Sequence, residues 1–169
     1  YGEVITRLED NLKEVVFIMA GSGSGFPRNT QPYLRCAQDK MEEACGVFGI
    51  YAPGQDLPRI ATYALYALQH RGQESAGIAI SNGETIYLKK GAGLVSEVFS
   101  NNKDLEDIPA LSALGHVRYS TTGSGCFENA QPLLIRYRQG ALAVAHNGNL
   151  VNGGELRDRL EKEGSIFQT

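Results

Sequence analysis

Apolar positions recur along this chain in two periods, and the change from one to the other marks out its elements. Val4, Leu8, Leu12, Val15 and Met19 are spaced as on one face of a helix, which predicts a short amphipathic helix there. The glycine–serine run from Gly21 to Gly25 and the stretch from Pro27 to Pro32 break that pattern and read as flexible linker. From Met41 the patterning becomes dense. Residues 45–51 form a strand-like apolar run, and Pro58 opens a helix reaching about Gln69, with Ile60, Ala64, Leu65 and Leu68 at helical spacing. Residues 77–81 and 85–89 read as strands joined by Asn82-Gly83, the strongest short hairpin signal. Residues 114–120 and 141–146 predict further strands. Residues 152–163 predict a helix, with Leu156 and Leu160 one turn apart and Gly164 as its stop. Strands outnumber helices and pair locally, an α+β pattern in which helices cover sheet faces.

Composition narrows the function without naming it. The 169 residues are 42% hydrophobic and 21% charged, which suits one ordinary globular domain. A net charge of −3, with basic residues scattered, gives no reason to expect nucleic acid or an anionic membrane as partner. The longest apolar run, residues 15–20, is too short to span a bilayer, and Glu3, Glu9 and Asp10 spoil a signal peptide. Cys36, Cys45 and Cys126 form no Cys-x-x-Cys pair and cannot all be bonded to one another. That usage suggests a reducing, cytoplasmic setting and leaves a thiol available for chemistry.

Taken singly, the chemically capable residues are ambiguous. Cys45 heads Cys45-Gly-Val-Phe-Gly-Ile50. A lone cysteine beside Val47, Phe48 and Ile50 is as a rule a small buried hydrophobe. It becomes an N-terminal nucleophile if the residues before it are removed, since an α-amine of pKa about 7.7–8.0 can then take the proton of a thiol of about 8.5. As the chain stands, the Cys45 nitrogen is an amide. Arg118, in Gly115-His-Val-Arg-Tyr-Ser-Thr-Thr-Gly123, could clamp a carboxylate through its planar fork with Thr121 adding a hydroxyl, or make an ordinary surface ion pair. Asn147-Gly148 is first a turn signal, yet an amide beside an unhindered glycine N–H also makes an oxyanion hole. His116 and His146 fit no compact metal spacing and are expected to make structural hydrogen bonds. The polar, glycine-punctuated segment 69–77 is expected to be buried or to line a site.

Five motifs in order carry more weight than any one of them. Cys45-Gly-Val-Phe-Gly, Leu68-Gln-His-Arg-Gly-Gln-Glu-Ser-Ala-Gly-Ile78, the Arg118 motif, Asn129-Ala-Gln-Pro132 and His146-Asn-Gly-Asn-Leu-Val151 together resemble the glutaminase domain of the class II, or N-terminal-nucleophile, glutamine amidotransferases. The resemblance runs from about Met41 to Thr169. His70-Arg-Gly-Gln-Glu74 and Tyr119 resemble the branch that opens purine synthesis. The sugar-phosphate aminotransferase branch would instead show Tyr-Arg-Gly-Tyr-Asp and a tryptophan after the arginine.

The resemblance implies a four-layer αββα sandwich of the N-terminal-nucleophile hydrolase type. It implies Cys45 as nucleophile, Arg118 with Thr121 as the clamp for the glutamine α-carboxylate, and Asn147 with Gly148 as the oxyanion hole. Met41-Glu-Glu-Ala44 resembles the family's short propeptide. Residues 1–40 are therefore expected to be an appended segment and linker, 41–44 a propeptide, and 45–169 the glutaminase domain, incomplete at its C-terminal side. The aspartate that would hold the glutamine amine is expected just past Thr169, so the segment alone is expected to be inactive. The implied partners are glutamine and, through a phosphoribosyltransferase domain outside this chain, 5-phosphoribosyl-1-pyrophosphate, with a homo-oligomer for the full-length enzyme. No cofactor and no metal is expected in this segment; magnesium, and in some members an iron–sulfur cluster, belongs to that other domain. Two rivals stand beside this reading: the glutaminase half of a sugar-phosphate aminotransferase, and a non-catalytic binding module whose cysteine is never freed.

Overall fold

The structure, a computed structural model, describes residues 14–21 (backbone only), 45–101, 103–119, 129–148 and 152–167. Its elements in chain order are β1 (Glu14–Gly21), β2 (Gly46–Tyr51), α1 (Leu57–Leu68), a 3-10 turn (Gln69–Arg71), β3 (Ser75–Ser81), β4 (Ile86–Ala92), α2 (Val95–Val98), β5 (Ser112–Arg118), β6 (Leu133–Tyr137), β7 (Gly140–Asn147) and α3 (Gly153–Lys162). A four-stranded sheet has the order β2-β5-β3-β4 and a three-stranded sheet the order β1-β7-β6, every pair antiparallel.

Strand alternation explains the layering. On β2, β3 and β5, Phe48, Ile50, Ala76, Ile78, Ile80, Ala113 and Val117 face α1 and α2, where Leu57, Ala61, Leu65, Val95 and Phe99 complete the larger core. The opposite faces carry Ala79, Leu114 and Val47, which meet Ala141, Ala143 and Ala145 of β7. Helices, first sheet and second sheet are therefore three successive layers of the expected sandwich. On β6, Leu133, Ile135 and Tyr137 share the other face of the second sheet and stay exposed, the face a fourth, helical layer would cover.

Local chemistry sets the element ends. Asp56 caps α1 by accepting from the Arg59 N–H at 3.2 Å, and Pro58 occupies the first turn, where a missing donor costs nothing. The Asn82-Gly83 turn behaves as the sequence predicts: Asn82 Oδ1 accepts from the Glu84 and Thr85 N–H groups, and Gly83 has φ +93°. Gly164, at φ +93°, ends α3.

Residues 14–21 depart from the helix the spacing predicts. Over 14–21 the backbone is strand, paired along its whole length with β7 from Glu14↔Asn147 to Gly21↔Gly140. Val15, Phe17 and Met19 also satisfy a period of two, and the β-branched residues Val15, Val16 and Ile18 favour strand once an unpaired sheet edge is offered. Within the segment expected to be appended, residues 14–21 thus form an edge strand of the second sheet. Residues 1–13 and the whole of 41–44 lie outside the described residues.

The core centres on Leu65, fully buried between α1 and the sheet and packed against Gly115 of β5. Leu65→Ala is expected to cost about 2–5 kcal/mol of unfolding free energy. Leu65→Met should cost less than about 1.5 kcal/mol. Urea titration of the two variants beside the parent chain checks both.

Candidate functional site

Cys45 immediately precedes β2, on the same side of that strand as Val47, so it belongs to the face turned toward the second sheet. The antiparallel register puts Gly46 opposite Val117, which brings the start of β2 beside the end of β5. There the Tyr119 N–H donates to Cys45 Sγ at 3.4 Å, and the thiol in turn lies 3.4 Å from the Tyr119 carbonyl oxygen. The sulfur is half-buried rather than sealed in the core. It therefore sits at a rim, held by main chain next to the strand that delivers Arg118.

Arg118 ends β5, half-buried, and pairs in register with Ser75 at the start of β3. Its main chain is gripped by the segment 69–77. The Glu74 N–H donates to the Arg118 carbonyl at 3.1 Å. Gly72 is packed so tightly that an added Cβ would lie 2.6 Å from the Arg118 carbonyl carbon and oxygen. A side chain of any kind at 72 would displace the arginine strand. The loop holding Gly72 is itself pinned by Gln69, whose Nε2 donates to the Gly72 carbonyl at 2.5 Å while its Oε1 accepts from the Val95 N–H at 2.7 Å. Arg71 reaches the start of β2, its Nε 3.4 Å from the Cys45 carbonyl.

From the second sheet, β7 ends at Asn147, which is buried on the same inward face as Ala141, Ala143 and Ala145, with Gly148 exposed just after it. Two contacts fix this end of β7. Beyond the Leu133↔Val144 pair the β6 ladder stops, and the Gln131 side chain takes the next place, its Oε1 accepting from the His146 N–H at 2.7 Å. His116 of β5 crosses from the other sheet, with its Nε2 3.2 Å from the His146 carbonyl oxygen. The sheets come close here because β3 carries Gly77: a Cβ at that position would lie 2.2 Å from the Gln131 carbonyl oxygen.

Of the residues singled out in the sequence, Cys45, Arg118, Asn147 and Gly148 lie on strand ends that converge on one end of the cleft between the sheets. Thr121 lies outside the described residues, as do Cys36 and Cys126. The His116 ring makes a structural hydrogen bond, as its sequence context suggests, whereas His146 takes part through its main chain and its Nδ1 meets no well-formed partner. The sequence alone assigns no role to Arg71, Gly72 or Gln131. The glycine punctuation of 69–77 signals the first two, whereas Gln131 stands in the Asn129-Ala-Gln-Pro132 motif without a sign of its partner 15 residues away.

The electrostatics of the cleft are those of neutral imidazoles beside a fixed cation. Burial, with smaller contributions from His146 and Arg118, lowers the His116 pKa to about 3, against the opposing effect of its hydrogen bond to His146. Burial also lowers that of His146, partly offset by the nearby Gly148 backbone, although no well-formed hydrogen bond reaches His146 Nδ1. Among the described residues no group of histidine, cysteine and acidic side chains is arranged to hold a metal ion, and no helix is long and apolar enough to cross a membrane.

Comparison with known proteins adds a lineage to this geometry. No family model matches the chain. Amidophosphoribosyltransferase of Bacillus subtilis is 52% identical over 130 residues, covering 76% of this chain and 27% of the relative. The enzyme of the same name from Archaeoglobus fulgidus is 57% identical over 126 residues, 74% of this chain and 27% of the relative. Amidophosphoribosyltransferase 2, chloroplastic, of Arabidopsis thaliana is 48% identical over 158 residues, 89% of this chain and 28% of the relative. Among solved structures, one described as the allosteric regulatory enzyme of purine biosynthesis superposes with a TM-score of 0.67 at 52% identity. The Bacillus subtilis glutamine phosphoribosylpyrophosphate amidotransferase complexed with ADP and GMP gives a TM-score of 0.64 at 51% identity. Each of these matches covers 73% of this chain and 26% of the solved one. The chain thus spans about a quarter of the length of these relatives.

The depressed histidine makes a stability prediction. In the unfolded chain the His116 pKa is about 6.5. Folding therefore requires a proton to stay off the ring, and stability is fully present above about 6.5 and lost as pH falls toward 3. His116 alone should cost about 2 kcal/mol of unfolding free energy between pH 7 and pH 5. Urea titrations at the two pH values measure it, and His116→Gln should shrink the difference.

Proposed function

The chain belongs, over its matched region, to the amidophosphoribosyltransferase family, and on that basis we propose that it is the glutamine-hydrolysing part of a glutamine-dependent phosphoribosyl amidation. The observation that carries the proposal is the convergence of a half-buried thiol, an arginine strand held by Gly72 and Glu74, and the Asn147-Gly148 pair on one end of the inter-sheet cleft. Cleavage of the Ala44–Cys45 peptide bond converts the Cys45 amide into a free amine, which accepts the thiol proton. Arg118, with Thr121, holds the α-carboxylate of glutamine through a bidentate, charge-assisted pair.

The thiolate adds to the side-chain amide carbon, and the negative charge that develops on the oxygen is met by Asn147 Nδ2 and the Gly148 N–H. The C–N bond then breaks, the proton on the amine goes to the departing nitrogen, and ammonia leaves a thioester on Cys45. Water adds to that thioester and releases glutamate and the thiol. In the whole protein the ammonia displaces pyrophosphate from 5-phosphoribosyl-1-pyrophosphate, giving 5-phosphoribosylamine. Magnesium, and an iron–sulfur cluster where a member has one, are proposed for that phosphoribosyltransferase portion and not for the residues described. A homo-oligomer and a cytoplasmic setting complete the proposal. The relatives above favour this branch over sugar-phosphate aminotransferases.

The test uses the intact protein that contains this chain. Its mass should show cleavage before Cys45, and it should hydrolyse glutamine. Cys45→Ala should abolish hydrolysis, and Arg118→Ala should raise KM for glutamine about 10- to 100-fold, the worth of a charge-assisted pair. Undiminished turnover in Cys45→Ala removes the nucleophile. Full activity with residues 1–44 still attached removes the α-amine as base.

A further inference from the structure

His116 lies on β5 two residues before Arg118, and His146 lies on β7 one residue before Asn147. These strands belong to different sheets, so no backbone ladder joins them. The His116 side chain is wholly buried, and its Nε2 stands 3.2 Å from the His146 carbonyl oxygen. A carbonyl only accepts, so the ring proton resides on Nε2 and the ring donates it. The other nitrogen, Nδ1, meets no partner in the cleft. The His146 N–H is meanwhile held by Gln131 Oε1 at 2.7 Å, so side chains grip both main-chain polar groups of the residue that leads into Asn147.

We infer that His116 is a positioning residue, whose Nε2–H bond to the His146 carbonyl sets the distance across the cleft between the Arg118 clamp and the Asn147 and Gly148 donors. The inference rests on the glutaminase reading of those residues and assigns a role to one that the reaction itself does not touch. The 146–147 peptide plane governs where the Asn147 side chain and the following N–H point. An oxyanion hole works only with its donors about 2.7–3.1 Å from the developing charge. A rigid ring between the sheets fixes that plane in a way two facing alanine surfaces cannot. Burial keeps the ring uncharged, and the nearby arginine adds to that effect, so the Nε2 donor persists without bringing a second cation into the clamp. Arg118 is itself held by the Glu74 N–H and the close approach of Gly72, so loss of the bridge leaves the carboxylate clamp in place and shifts the donors relative to it.

The test compares His116→Leu with His116→Gln in the intact, processed protein. A glutamine Nε2 extends about as far from the backbone as the imidazole Nε2. His116→Leu should lower kcat for glutamine hydrolysis about 10- to 100-fold, as small misplacements of catalytic groups do, with KM within about threefold. His116→Gln should recover kcat to within about fivefold of the parent. In 15N spectra the Asn147 side-chain amide should move in the Leu variant and stay near its parental position in the Gln variant. Should the Leu variant fail to fold, His116→Asn, whose shorter amide cannot reach, takes its place. A folded donor-less variant with kcat within twofold of the parent overturns the inference. So does a loss that the Gln variant fails to recover. If the unsubstituted protein hydrolyses no glutamine, the glutaminase reading falls by itself. The bridge is then judged on the spectra alone: an Asn147 amide unmoved by loss of the donor overturns it, and one that moves and is restored by glutamine supports it.

Discussion

Everything in this molecule depends on how closely two antiparallel sheets approach each other. Alanines line the facing surfaces, Ala79 on one side and Ala141, Ala143 and Ala145 on the other, with Ile86, Leu114, Val47, Leu88 and Leu134 filling the space around them. Between such closely packed surfaces polar groups are pressed to pair with one another, as His116 Nε2 does with the His146 carbonyl. Gly77 takes this to its limit, where the Gln131 backbone occupies the volume a side chain would need. The narrowness lets one imidazole reach from sheet to sheet. It also brings the ends of β5 and β7 together at the His116–His146 bond, with the start of β2 beside the end of β5.

Much of this was legible in the sequence. β2, α1, the β3–β4 hairpin, β7 and α3 announced themselves through period, proline, Asn-Gly and a terminal glycine, all signals contained within a dozen residues. The elements that did not are those whose cause lies elsewhere. β6 exposes Leu133, Ile135, Arg136 and Tyr137, so its apolar–polar alternation is blurred. α2 is a single turn, held by Glu97 Oε2 on the Leu94 N–H at 2.8 Å and by Gln69 from another segment. Val15 and Met19 fit both periods, and the spacing alone favours helix over the strand β1 forms. The free edge of β7 that chooses between them is more than a hundred residues away in sequence.

The site shows the same division. Cys45, Arg118 and Asn147 were visible as motif residues, and the structure supplies a reason for their spacing. Each ends or begins a strand at one end of the cleft, so fixed register converts sequence positions into proximity. What a one-dimensional reading misses is the apparatus that holds them. Gly72 matters for the atoms it lacks, and Gln131 for completing a ladder that its own strand abandons.

The histidines then take on a meaning that composition alone would misdirect. Two imidazoles near a thiol invite a cysteine–histidine pair. Yet a ring whose pKa is pushed to about 3 cannot accept the thiol proton near neutral pH. His116 is committed instead to donating toward the His146 carbonyl, and Cys45 Sγ is in hydrogen-bond contact with the Tyr119 backbone. His116 therefore stands apart from the proposed chemistry, in which the proton acceptor is an amine on the cysteine itself. The same burial that disarms the ring makes it a stiff strut between the sheets, so the loss of one function is the physical condition for the other.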